Sequence, residues 1–299
     1  MRILLLALVA LLSACQSRPA ALPLLPEWQA PEGREHADLG VILDLRSGER
    51  LTPEQLVGQL AVAPLLLVGE QHDNPDHHAL QLWLLRALAS ERAQGSLLLE
   101  MLNPNQQAAV DQVRAAYAQG QPPADLYQAL NWQAGWDWGH YGAIMGYAVQ
   151  QPWPLLSANL DRSEIMQIYT EPPPLSGQAS TAAAVNEALL EQIRQSHCDL
   201  LPESQLPAML AVQQQRDRRM AERLRDAPQP ALLFAGAFHV RRDLGVPLHL
   251  QDLGAAQGVR VLILAEAGRE VTAAEADYVW FTAAQPAQDH CAKLRTRRP

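Results

Sequence analysis

The sequence predicts an α/β fold: a mostly parallel sheet flanked by helices, with an inserted helical lid. Three observations predict it. Short apolar runs bounded by Gly, Pro or Ser alternate with longer stretches in which apolar residues recur at three-four spacing. Each run leads into a polar turn and then a helix start, as expected of parallel βα units with right-handed crossovers. Only the stretch 172–227 breaks the alternation, with helices and no strand between them. At 299 residues and 48% hydrophobic content, the chain can bury a full core.

Residues 1–14 read as a signal peptide. Arg2 supplies a positive start, Ile3 to Leu12 an apolar region too short to span a bilayer, and small residues follow. Leu12-Ser13-Ala14-Cys15 resembles the lipobox of bacterial lipoproteins, which implies cleavage before Cys15, lipidation of its thiol and anchoring rather than spanning. An ordinary secretory signal with an incidental Cys15 is the alternative. Gln16, not Asp, follows the cysteine, and in lipoproteins of Gram-negative type that favours the outer membrane. Residues 15–35, with Pro19, Pro23, Pro26 and Pro31, read as a tether. The core domain is expected over 36–171 and 228–290, and the lid over 172–227.

Within the core, residues 41–45 read as a strand and Thr52-Pro53 as a capped helix start, Thr52 at the N-cap and Pro53 at the first helical position. Leu65 to Val68, bounded by Pro64 and Gly69, form a buried strand. Asn74-Pro75 then opens a helix with Leu80, Trp83, Leu84, Ala87 and Leu88 on one face. Residues 96–101 repeat the pattern, and Asn103-Pro104 starts the next helix. Residues 131–153 hold Trp132, Trp136, Trp138, Tyr141, Tyr147 and Trp153, which suit either core filling or a wall for a flat ligand. A strand over 154–159 follows, and Asp161 and Arg162 open another helix. Helices are expected over 181–196 and 203–225, with Arg216-Asp217-Arg218-Arg219 as a solvated face. Residues 231–236, 259–264 and 278–281 supply the remaining strands, the last antiparallel at the edge.

The candidate site lies at the strand ends. Gly69-Glu70-Gln71-His72 and Gly236-Ala237-Phe238-His239 repeat Gly-x-x-His directly after two apolar strands, and Glu100 and Asn159 end two more. In a parallel sheet these ends share one edge, so Glu70, His72, Glu100, Asn159 and His239 converge on one pocket. Two imidazoles and two carboxylates suit a divalent metal such as zinc or manganese, with Glu70 and Glu100 as general bases. They suit equally a polar floor for a larger ligand. The bland readings are helix-capping carboxylates and a turn histidine; His77 and His78 suit the surface at a helix start.

Other classes are excluded by what is missing. The formal charge of -9, or -10 once Arg2 leaves with the signal, and the lack of a basic stripe argue against nucleic acid. There is no Gly-x-Ser-x-Gly, His-Glu-x-x-His, Cys-x-x-Cys, Walker A or Gly-x-Gly-x-x-Gly motif. Cys198 and Cys291 remain after Cys15, and in an oxidising compartment they suggest a disulfide, worth about 4 kcal/mol on the chain-entropy model. Two separate buried thiols are the alternative.

Together, several stretches resemble the ChaN-like, iron-regulated haem-binding lipoproteins of the Tiki superfamily. They are Val68-Gly69-Glu70-Gln71-His72-Asp73-Asn74, Trp132 to Tyr141, Ser157 to Arg162, His197-Cys198 with Leu201-Pro202-Glu203, Gln215-Arg216-Asp217 with Met220-Ala221, Gly236 to Asp243, and Asp277 to Phe281. The resemblance implies haem binding at the outer membrane in haem or iron uptake, with a haem receptor or transporter as a further partner. A Tyr phenolate or a His serves as axial ligand in principle, which makes Tyr141, His140, His72, His77 and His78 the candidates. Arg241 and Arg242 are candidates for pairing with propionates. A haem held at a subunit interface implies a homodimer. Phe238 stands where relatives are expected to carry a small residue, so ligand access there is expected to differ. The wider superfamily also contains metal-dependent peptidases and esterase-like proteins, which keeps a metal-dependent hydrolase using both Gly-x-x-His motifs as the alternative.

Overall fold

The computed structural model describes residues 22–289 and 291–292; the signal peptide, Cys15 and the first tether residues lie outside them. Strands β1 (Ile42–Asp44), β2 (Arg50–Leu51), β3 (Leu65–Glu70), β4 (Ser96–Leu99), β5 (Leu155–Ser157), β6 (Ala231–Gly236), β7 (Val259–Glu266) and β8 (Tyr278–Thr282) form one sheet. Their order is β2-β1-β8-β7-β3-β6-β4-β5. β3, buried throughout, pairs in parallel with both β6 and β7. Its continuous apolar run follows from burial on both faces of the sheet.

The helices are α1 (Pro53–Ala61), α2 (Pro75–Glu91), α3 (Gln107–Ala118), α4 (Leu126–Ala129), α5 (Trp138–Ala148), α6 (Arg162–Thr170), α7 (Ala183–Ser196), α8 (Leu206–Asp226), α9 (Ala237–Val240) and α10 (Val246–Asp252). Side-chain alternation along the strands splits the core into two layers. Leu66, Val68, Leu97, Leu99, Leu232 and Phe234 pack against α1, α2, α3 and α5 on one face. Leu65, Leu67, Leu98, Leu233 and Ala235 pack against α8, α9 and α10 on the other. Thr52 caps α1 as expected, accepting from the Gln55 amide, and Asn74 caps α2 through the Asp76 amide. Cys198 and Cys291 are joined, tying the α7–α8 turn to the C-terminal stretch.

Three expectations need correction. β8 is not an antiparallel edge strand: it lies inside the sheet, parallel to β7 and antiparallel to β1. A helix-free connection over 267–277 makes that crossover, shorter than the dozen or more residues usual for one. The 172–227 insertion is a lid only in part. Met220, Ala221 and Leu224 of α8 belong to the sheet's own core, while Leu189 and Ile193 of α7 pack on Leu206 and Leu210 in a separate cluster. The described end of the tether is also not free. The Trp83 indole N–H donates to the Pro23 carbonyl at 2.9 Å, and the Gln29 and Ala30 amides donate to Asp76 at 2.6 and 3.2 Å.

Candidate functional site

Both Gly-x-x-His turns open on the carboxyl edge of the sheet, and the last residues of their strands, Glu70 and Gly236, are direct register partners. Glu100 follows β4 on the far side of β6, its amide donating to the Phe234 carbonyl. Its Oε2 accepts the Gly236 amide at 2.8 Å. The two motifs interlock through their glycines. A Cβ on Gly69 would lie 2.4 Å from Val240 and 2.9 Å from the Ala237 backbone, and a Cβ on Gly236 would lie 2.9 Å from the His72 ring. Each glycine therefore makes room for residues of the other turn.

The two histidines end in different states. His72 Nδ1 lies 2.6 Å from Glu70 Oε1, and Tyr141 donates to the same oxygen at 3.1 Å. The His72 side chain is 47% exposed and its ring meets Trp136 edge-on at 4.9 Å. Burial opposes its charged form, but the hydrogen bond and charge of Glu70, with Glu100, outweigh that and raise its pKa. Glu70 itself is buried, and its Oε2 has no hydrogen-bond partner among the described residues.

His239 is buried between two carboxylates, Nδ1 at 2.5 Å from Asp217 and Nε2 at 3.3 Å from Glu100. Burial opposes its charge, yet Glu100 and Asp217 push its pKa up to about 10. Glu100 is likewise buried, and His239 then holds its carboxyl well below the usual range. This is an imidazolium held on both sides, with no ring nitrogen left for a ligand. Asp217 comes from the charge run expected to be solvated; it is fully buried instead.

A cleft of about 550 Å³ opens over these groups, lined by Glu70, His72, Gly236, Phe238 and His239, with Gln192 and Gln213 from the insertion and Arg269 beyond β7. That volume is within the ~300–1,000 Å³ of ligand pockets. Phe238 does not block it: the ring is 42% exposed, with the Arg269 guanidinium 5.9 Å from its centre. Arg269, Gln192 and Gln213 escaped the sequence reading, because nothing local sets them apart from other surface side chains.

The remaining candidates lie elsewhere. Asn159 donates to the Glu100 carbonyl and faces a separate cleft with Arg219 and Arg223, so it positions Glu100 from outside the main pocket. Arg241 is engaged by Asp243 and Glu275, and Arg242 by Asp277, so neither reaches the cleft. Tyr141 is buried, and its phenol is pushed to a higher pKa by burial and by Glu70, unsuited to phenolate ligation. His77 and His78 are buried, not surface residues. His77 receives the Gln71 amide and bonds Thr282, and His78 lies 3.1 Å from the His72 carbonyl. His140 stacks on His78 at 5.1 Å, outside the cleft lining. Of the ring-dense segment, Trp132, Tyr141 and Trp153 are core, and Trp136 reaches the site. Among the described residues, no group of three or more His, Cys, Asp or Glu is placed to hold a metal ion. The zinc or manganese site expected from Glu70, His72, Glu100 and His239 is therefore not supported, because His239 is committed to its two carboxylates.

Residues 56–250 match the family described as haem-binding uptake, Tiki superfamily, ChaN. The chain belongs to that family. It is 31% identical to ChaN of Campylobacter jejuni, a structure described as showing cofacial heme binding, with a TM-score of 0.73 over 84% of this chain and 98% of that one. More distant folds include RRSP, a MARTX toxin effector domain from Vibrio vulnificus, at 12% identity and TM-score 0.44 over 80% of this chain and 39% of that one. A mutant of the erythromycin esterase EreC in its open conformation is also 12% identical, with a TM-score of 0.43 over 78% of this chain and 80% of that one. No protein of curated function matches the chain by sequence. Haem is the ligand the family supports, and the hydrolase alternative is not favoured.

Proposed function

We propose that the protein is an outer-membrane-anchored lipoprotein that binds haem in the carboxyl-edge cleft and serves haem uptake. The observation that carries the reading is the state of His72. Glu70 engages Nδ1, which leaves Nε2 beside Gly236 at the cleft floor, where a Cβ would crowd the ring. A histidine whose second nitrogen is held by a carboxylate is the usual form of a metal-ligating imidazole, with fixed orientation and raised basicity. When bound, haem would supply an iron able to take a protein ligand. His72 would hold that iron, the Phe238 ring would pack against the macrocycle and the Arg269 guanidinium would pair with a propionate. The open mouth leaves the outer face of a planar ligand uncovered, which a second copy of the chain or a haem transporter would close. Cys15 provides the lipid anchor in this reading.

The test is a hemin titration of residues 16–299 followed at the Soret band. A saturable shift with a defined stoichiometry is expected. Linear, unsaturable absorbance at every protein concentration would remove haem from the cleft.

A further inference from the structure

We propose that Leu24 and Leu25 rest in the surface of the lipid bilayer and seat the body there with its cleft open to the aqueous phase. This rests on the lipoprotein reading of Cys15. The chain that links the anchor to the body is fixed at two points on one helix. Residues 29 and 30 are held by Asp76 in the first turn of α2, and Pro23 is held by Trp83. α2 starts at the carboxyl edge, so the linking chain runs antiparallel to it. Traced from residue 30 back toward Cys15, it moves away from the cleft, by ~10 Å along the helix axis between the two clamps at 1.5 Å per residue.

Between those clamps the chain turns its apolar groups outward. Leu24 is 95% exposed and Leu25 48%, whereas Leu22 and Trp28 on either side pack against the core. Pro23 and Pro26 bracket the pair, and their fixed φ angles limit its rearrangement. A fully extended chain covers ~3.3–3.6 Å per residue, so the stretch from Cys15 to Leu24 spans at most ~30 Å. A bilayer holding the acyl chains on Cys15 therefore lies within short reach of Leu24, which is almost fully exposed, and of the half-exposed Leu25 beside it. Apolar side chains in that position gain by entering the headgroup boundary. Held this way, the cleft faces water.

The test fixes the chain by the same end without relying on acylation. Residues 16–299 with an N-terminal decahistidine tag are captured on vesicles of phosphatidylethanolamine and phosphatidylglycerol containing a nickel-chelating lipid. A nitrobenzoxadiazole dye is attached at Leu24→Cys or, separately, at Phe238→Cys. Capture should raise emission at position 24 about twofold with a blue shift, and leave position 238 unchanged. No response at 24, or an equal response at 238, overturns the proposal. Replacing the neighbouring Leu25 by Asp should reduce the response at 24; an undiminished response would mean that the pair does not act together and would also count against it. Mass spectrometry of Cys15 from native membranes examines the lipoprotein reading separately.

Discussion

The turns after β3 and β6 carry the same Gly-x-x-His pattern at the same sheet edge, yet His72 is open to the cleft and His239 is closed off. The difference comes from partners far away in sequence. His72 has one carboxylate, Glu70 at the end of its own strand β3, whereas His239 has two, Glu100 just after β4 and Asp217 of α8. An imidazole with one anchored nitrogen is oriented and available; an imidazole with both anchored is a structural cation. The motif alone therefore does not say which histidine can take a ligand.

The sharpest way to break this comparison is to remove the closed histidine's partner. Asp217→Ala leaves the buried His239 imidazolium with Glu100 alone and should cost about 2–3 kcal/mol in urea unfolding, whereas His72→Ala, at a half-exposed ring and with Tyr141 still donating to Glu70, should cost about 1 kcal/mol or less. Equal losses would erase the distinction. The pH dependence gives the same contrast in the wild-type chain. His239 has a folded pKa of about 10 against 6.5 unfolded, so its contribution is complete below about pH 6.5 and is lost as pH rises through about 10. His77, His78 and His249 are buried with lowered values, so their contributions are present above about 6.5 and lost as pH falls. Stability should thus decline between pH 6.5 and 10, and Asp217→Asn should flatten that slope.

A smaller effect separates the two glycines. Gly69→Ala drives a methyl into Val240 and the Ala237 backbone and should destabilise the fold by about 1–3 kcal/mol. The nearest atoms to a methyl in Gly236→Ala belong to the His72 ring and the Glu100 side chain, so it should move His72 and weaken hemin binding more than it lowers the melting temperature. The smallest contrast lies among the arginines. Arg269→Ala should weaken hemin binding a few-fold, about 0.5–1 kcal/mol for a partly exposed ion pair, and Arg241→Ala should leave it unchanged. A larger effect at Arg241 would place the ligand elsewhere.

Much of the architecture was legible because strand ends and helix starts carry local signals. Asn74-Pro75, Thr52-Pro53 and the apolar run at 65–68 mark their elements without help from the rest of the chain, and parallel strand polarity brings Glu70, His72, Glu100 and His239 to one edge. Tertiary partners were not legible in the same way. Asp217 sat inside a run of charges and read as solvent-facing. The usable signal was its helical phase: Leu210, Gln214, Asp217, Ala221 and Leu224 recur at three-four spacing and are all buried, so a carboxylate in that stripe had to find a cation. Arg269 carried no such mark, since it enters the cleft from a loop. β8 was misplaced because sequence shows a strand's existence but not its neighbours.

The claim on which the rest depends is that His72, and not His239, presents the free imidazole nitrogen to haem. Hemin titration of His72→Ala tests it most directly, with imidazole added back at saturating concentration. At least a tenfold loss of affinity is expected from removing an axial ligand, with the histidine-type Soret spectrum restored by added imidazole. Unchanged affinity and an unchanged spectrum in His72→Ala would contradict the account.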